Sequence, residues 1–140
     1  MRQLAADLGL ADRVTFLGHC TREQVVQEMT LADALVISSN HETFGVVAIE
    51  ALMSGTPVVS TRCGGPEDII EEGRDGYLVA KNDPTALAQG LLRLSREQTR
   101  FDPGELRQRC VARFAEAAFA RRHAEVYEEV VACASIGSQV

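Results

Sequence analysis

The sequence contains no apolar run near the ~18 residues that a membrane-crossing helix requires, so no ordinary transmembrane span is expected. Its first residues, Met1-Arg2-Gln3-Leu4-Ala5-Ala6-Asp7, carry no apolar core of a secretory signal. Basic residues are few, 14 Lys and Arg against 20 Asp and Glu. The resulting charge of −6 argues against a nucleic-acid binder, which needs a basic face. Cys20, Cys63, Cys110 and Cys133 lie far apart with no Cys-x-x-Cys pair, so neither a disulfide framework nor a zinc site is expected. Free thiols in a reducing, cytoplasmic setting are expected instead. The three histidines are equally scattered, and no metal site is expected from them. Internal repeats and low-complexity linkers are absent too.

What remains is a chain of 140 residues, 46% apolar and 24% charged, the composition of one globular domain. Strand and helix patterns alternate along it. Arg2–Leu10 reads as the end of a helix. Val14–Leu17 reads as a short strand closed by Gly18, and Thr21 with Gln24 as a capping box opening a helix. Asp33–Ser38 is a continuous apolar strand, the pattern of one covered on both faces. Phe44–Ser54 reads as a buried helix stopped by Gly55, and Pro57–Ser60 as the next strand. A short helix over Glu67–Glu72, a strand at Gly76–Val79 and a helix opened by Asp83-Pro84 follow. Beyond Arg96 the pattern is helical only. It is broken once at Pro103-Gly104 and runs from about Glu105 to Ala134, with Phe114, Phe119 and Tyr127 as packing anchors.

Such alternation with short connections predicts an α/β fold, a parallel sheet with helices on both faces and an all-helical C-terminal segment. The division expected is a Rossmann-like part over residues 1–95 and packing helices over 96–140. Ligands of such sheets bind outside the carboxyl ends of the strands. The loop after Ser38, reading Ser38-Ser39-Asn40-His41-Glu42-Thr43-Phe44-Gly45, leads straight into a helix. A helix N-terminus offers unpaired amides and about half a positive charge, which suits a phosphate. Gly45 would let an anion approach the backbone. Glu42 and Glu50 flank that position, and ionised carboxylates accept hydrogen bonds from vicinal hydroxyls. The spacing by itself carries nothing, since Glu97 and Glu105 form a second pair eight apart. Glu42 as a helix N-terminal acid and Glu50 as a lone charge remain open readings. An unpaired charge among Val46, Val47, Ala48, Ile49, Ala51, Leu52 and Met53 would, however, be costly.

Residues 38–72, from Ser-Ser-Asn-His-Glu-Thr-Phe-Gly through Gly-Gly-Pro-Glu-Asp-Ile-Ile-Glu-Glu, resemble the donor-binding core of the group 1 glycosyltransferases. Those are retaining enzymes built from two facing Rossmann-like domains, the GT-B fold, and their Glu-x7-Glu signature falls on Glu42 and Glu50. Phe16-Leu17-Gly18, Asp75–Val79 and the Tyr127 segment fit as well. The resemblance implies the donor-binding half of such an enzyme, moving a hexosyl group from a nucleoside diphosphate sugar to an acceptor hydroxyl. Glu42 would be the catalytic residue, touching the donor sugar. Thr43 and the backbone of Phe44, Gly45 and Val46 would hold the distal phosphate and sugar, and Glu50 the ribose. His19-Cys20 would meet the base, and Gly64-Gly65 would bring their loop up to the donor. Glu67 reads as a helix N-terminal acid.

The resemblance further implies an Arg and a Lys for the diphosphate in a loop before Met1, and an acceptor-binding N-terminal domain that this chain lacks. The chain alone is therefore expected to be inactive, with any peripheral membrane association residing in the missing half. No Asp-x-Asp occurs, so neither a metal-bridged diphosphate nor another cofactor is expected. A stand-alone nucleotide or sugar-phosphate binding module and a nucleotide-sugar epimerase on the same architecture are the competing readings. A flavodoxin-like receiver is a weaker one, for want of an acidic cluster at an early strand end.

Overall fold

A computed structural model describes the backbone of residues 1–136 and the side chains of residues 1–131. Helix α1 (Arg2–Asp7) and a 3₁₀ turn (Ala11–Arg13) open the chain. Helix α2 (Arg22–Leu31) starts at the expected capping box: Thr21 Oγ1 accepts from Gln24 N at 3.3 Å, and Thr21 N donates to Gln24 Oε1 at 2.8 Å. Then come β1 (Leu35–Ile37), α3 (Val46–Ser54), β2 (Val58–Thr61), α4 (Gly65–Ile69) and β3 (Gly76–Val79). Gly55 stops α3 in the left-handed conformation at φ 84°, as its position after an apolar helix implied. Helix α5 (Pro84–Arg96) is capped by Asp83, whose Oδ1 accepts from Ala86 N at 2.9 Å. Helices α6 (Pro103–Phe114) and α7 (Glu116–Ile136) complete the described chain.

The three strands are parallel in the order β1-β2-β3, with Leu35 opposite Val58 and Val58 opposite Gly76. Paired residues share a face. Val36, Val59, Tyr77 and Val79 therefore lie on one side, where Gly90 brings α5 close to Val59 and Val79. Leu35, Ile37, Val58 and Ser60 lie on the other, which α3 covers. All four residues of β2 are buried, as a strand sandwiched between helices must be. The core joins Ala48, Ala51 and Leu52 of α3 to Val58, Val59 and Tyr77 of the sheet and to Leu94, Phe101, Leu106 and Cys110. Arg107 of α6 ties the end of α3, donating to Met53 O at 2.9 Å and Ser54 O at 3.3 Å. Cys20, Cys63 and Cys110 are free thiols, and Cys133 lies outside the described side chains. No helix among the described residues is long and apolar enough to cross a membrane.

The architecture is the expected α/β Rossmann-like one with its helical C-terminal segment, yet five local expectations fail. Val14–Leu17 is not a strand. Val14 has extended dihedrals (φ −120°, ψ 117°), but a strand exists only as part of a ladder and none among the described residues pairs with it. Its main tie is to Arg2, whose guanidinium lies 4.7 Å from the centre of the Phe16 ring. The strand expected over Asp33–Ser38 is shorter, and it is not covered on both faces: Val36 is 42% exposed, because the main packing of α5 is against β2 and β3. The helix expected over Glu67–Glu72 begins at Gly65, because Glu67 reaches back to accept from Gly64 N at 3.1 Å. The single long C-terminal helix is two helices, parted at Ala115 (ψ 156°). No breaker residue stands there. The last turn of α6 is anchored by Arg113, which donates to Asp68 O at 3.1 Å and to Asp75 at 3.2 Å, whereas the main packing of α7 among the described residues is on α6. Phe114 reaches the core, but Phe119 and Tyr127 are 63% and 69% exposed and anchor no core.

Candidate functional site

The carboxyl ends of the strands place the loop between β1 and α3 beside the loop between β2 and α4. Glu42 is held by backbone on both sides: its N–H donates to Cys63 O at 2.8 Å, and its carbonyl accepts from Gly65 N at 2.8 Å. Its side chain turns towards the helix, Oε1 accepting from Gly45 N at 3.3 Å. Gly45, at φ 72°, is the residue that turns the chain into α3. Within α3 the Ala48 amide bonds back to Gly45 O at 2.8 Å. The amides of Val46 and Val47 donate to no protein group among the described residues. They carry the positive end of the helix dipole, about half a charge, to the surface beside Glu42.

Glu50 is half-buried four residues into α3, about 6 Å along the axis from Val46. Its neighbours Ala48, Ala51 and Leu52 are buried, yet its carboxylate has no ion pair and no hydrogen-bond partner among the described residues. Both glutamates of the pair therefore keep acceptor capacity for a ligand.

The glycines act inside the protein. A Cβ on Gly64 would stand 2.7 Å from Glu42 O, and one on Gly65 would stand 2.6 Å from Phe44 O and 2.7 Å from Phe44 Cα. A Cβ on Gly45 would meet Pro66 at 3.0–3.1 Å, so the bare side of this glycine faces Pro66. These glycines let two backbone segments touch, which fixes the approach to α3.

His19 is exposed and Cys20 half-buried in the segment before α2. No hydrogen bond, ion pair or ring contact joins either to Glu42 or Glu50 among the described residues. Thr43 and Phe44 are exposed at the mouth of the site, Phe44 by 74%. Thr61 was not foreseen. Buried at the end of β2, it places Oγ1 2.5 Å from Ser39 O and 3.4 Å from Ile37 O. A hydroxyl on the last residue of a strand leaves no sequence signal of such a role. Among the described residues no group of three His, Cys, Asp or Glu is arranged to hold a metal ion. Asp75 was also missed. It is 2% exposed and bonded to Arg109 and Arg113 at 3.2 Å each, an ion-pair cluster at the amino end of β3 that ties α6 to it.

The sequence pattern of the family described as glycosyl transferases group 1 matches residues 1–116. This chain belongs to that family. Its relatives within the group include the D-inositol 3-phosphate glycosyltransferase of Corynebacterium urealyticum, 36% identical over 131 residues, which cover 93% of this chain and 31% of the relative. The enzyme of the same name from Corynebacterium kroppenstedtii is 38% identical over 129 residues, 91% of this chain and 29% of the relative. Among solved structures, Anabaena HepE in complex with UDP superposes with a TM-score of 0.78 at 28% identity, covering 91% of this chain and 35% of that one. Sucrose-phosphate synthase from Thermosynechococcus elongatus superposes with a TM-score of 0.80 at 32% identity, covering 94% and 34%. The group 1 chain thus spans about a third of the length of these relatives. Its fold is the Rossmann-like half of the GT-B glycosyltransferase architecture.

Proposed function

We propose that the chain is the donor-binding part of a retaining glycosyltransferase and holds a nucleoside diphosphate sugar whose hexosyl group passes to an acceptor hydroxyl. The observation that carries this reading is the unpaired carboxylate of Glu50 on the helix whose free N-terminal amides lie beside Glu42. In this reading the diphosphate lies over the amides of Val46 and Val47, where backbone dipoles rather than a metal ion meet its charge. Thr43, Phe44 and Gly45 line its path. The ribose diol donates to Glu50 and the sugar hydroxyls to Glu42, each carboxylate acting as acceptor. His19-Cys20 flank the base, and Gly64-Gly65 set how near their loop comes. HepE, solved with UDP and with UDP-glucose, supports a nucleotide site on this fold.

Transfer itself requires the larger protein. The acceptor hydroxyl must be held about 3 Å from the anomeric carbon, and positioning of that order supplies ~7–11 kcal/mol of a barrier. The leaving diphosphate also needs more charge compensation than one helix end provides. Isolated, the chain binds UDP with a dissociation constant of about 0.1–1 mM and transfers no sugar. NMR titration with UDP, with and without Mg²⁺, tests the first half: amide shifts concentrated at residues 42–50 are expected. Unmoved amides there at several millimolar UDP refute the site.

A further inference from the structure

The last rung between β1 and β2 joins Ile37 to Ser60, and the next contact is the bridge between Glu42 and Gly64. Between these rungs the first segment holds four residues, 38–41, and the second three, 61–63. The extra residue bows the first segment away, so the ladder alone does not fix how the chain returns to Glu42. One side chain spans the gap. Thr61, 4% exposed, points its hydroxyl across to Ser39 O at 2.5 Å, with Ile37 O at 3.4 Å. A hydroxyl carries a single proton, so the Ser39 bond takes it. No other side chain among the described residues bonds to the backbone of residues 37–42. The segment that begins with Thr61 then holds Glu42 itself, through Cys63 O and Gly65 N.

We propose that Thr61 is a positioning residue for Glu42: its hydroxyl pins the bow at Ser39 and so fixes where the Glu42 carboxylate stands beside the start of α3. The inference rests on the donor-site reading above, in which Glu42 meets the sugar and Glu50 the nucleoside. Loss of the hydroxyl should then weaken recognition of the sugar while leaving that of the nucleotide. Valine keeps the shape of Thr61 and removes its proton; serine keeps the proton and removes a methyl.

The experiment is an NMR titration of wild type, Thr61→Val and Thr61→Ser with UDP and, separately, with UDP-glucose, alongside urea midpoints for all three. Wild type is expected to bind UDP-glucose more tightly than UDP. Thr61→Val should bind UDP within about twofold of wild type but lose about fivefold in UDP-glucose affinity, the scale of one hydrogen bond. Thr61→Ser should recover most of that loss. Equal affinity of wild type for the two nucleotides, equal losses for both in Thr61→Val, no loss at all, or no recovery with serine would each overturn the proposal. Wild type that binds neither nucleotide refutes the donor-site reading and this inference with it. Binding in wild type without the Thr61 pattern refutes the inference alone.

Discussion

Gly65→Ala isolates the packing that shapes the candidate site. Gly65 opens α4 without a positive φ, so an alanine there meets no backbone strain. By propensity and by the narrower unfolded ensemble, the change should stabilise by about 1 kcal/mol. Against this stands steric overlap: the new Cβ would lie 2.6 Å from Phe44 O and 2.7 Å from Phe44 Cα, where ordinary contact begins at 3.4 Å. The shortfall at the oxygen is about 0.8 Å, the Phe44 carbonyl carbon lies nearer still, and the atoms met are backbone, which cannot rotate aside. Overpacking of this kind costs ~1–3 kcal/mol, and rigid neighbours put this case at the upper end. The net expectation is a loss of about 2 kcal/mol, read as a lowered urea midpoint at unchanged slope. Relief of the overlap must push Phe44 and Gly45 outward, so UDP affinity should fall by about threefold or more, some 0.7 kcal/mol. Gly9→Ala serves as control. It sits at φ 67° in open space, so it should cost ~1 kcal/mol and leave UDP binding alone. An alanine at 65 that is as stable as wild type and binds UDP equally well would refute the claim that the two loops touch.

Calorimetry on Glu50→Ala should show UDP binding weakened by about 1–3 kcal/mol, the worth of a charged hydrogen-bonding group. Glu42→Ala should leave UDP binding nearly unchanged, and equal losses would mean the two roles are misassigned. Asp75→Asn removes the buried counter-charge of Arg109 and Arg113, which are 29% and 30% exposed and keep Glu71 as a partner, so thermal unfolding should show a loss of ~1.5–3 kcal/mol; a shift within error would mean Glu71 alone suffices. The Glu71 carboxyl is held below the usual range, chiefly by the hydrogen bond from Arg74 and also by the charges of Arg109 and Arg113. Because the folded value is the lower one, its contribution is present above an ordinary glutamate pKa of about 4.3 and disappears as pH falls through the folded value. Replacing Arg74 by Gln should flatten that acid limb of a stability–pH curve. Burial, with Asp75 nearby, pushes the Cys110 thiol up to about 11, partly offset by Arg113. Cys110 should therefore react far more slowly with a thiol reagent at pH 8 than half-buried Cys20, which peptide mapping after brief labelling would check.

The signals legible in the sequence were those completed within a few residues. Thr21 with Gln24, Asp83 with Pro84, and Gly55 after an apolar run each satisfy backbone groups locally, and the structure has all three. The loop that ends β1 at a helix start was equally readable, because a strand, a turn and a helix in succession constrain one another. Glu42 and Glu50 stood out only through the resemblance of their surroundings, since the spacing recurs at Glu97 and Glu105.

What the sequence by itself determined is the order of strands and helices, the caps that bound several of them, and the family to which the chain belongs. Tertiary structure decided whatever depends on a distant partner. Val14–Leu17 has the residues of a strand but no ladder to join among the described residues, and Val36 has the residues of a buried one but lies outside the main packing of α5. Gly64 and Gly65 could be read as a turn or as part of a donor site. Only the fold shows the backbone of Glu42 and Phe44 pressed against them. The break at Ala115 arises where an anchored helix end meets one that packs elsewhere, and Thr61 reaches Ser39 across 22 residues. Ladder hydrogen bonds, close backbone contacts and long-range ion pairs join residues far apart in the chain, so no local window contains both partners.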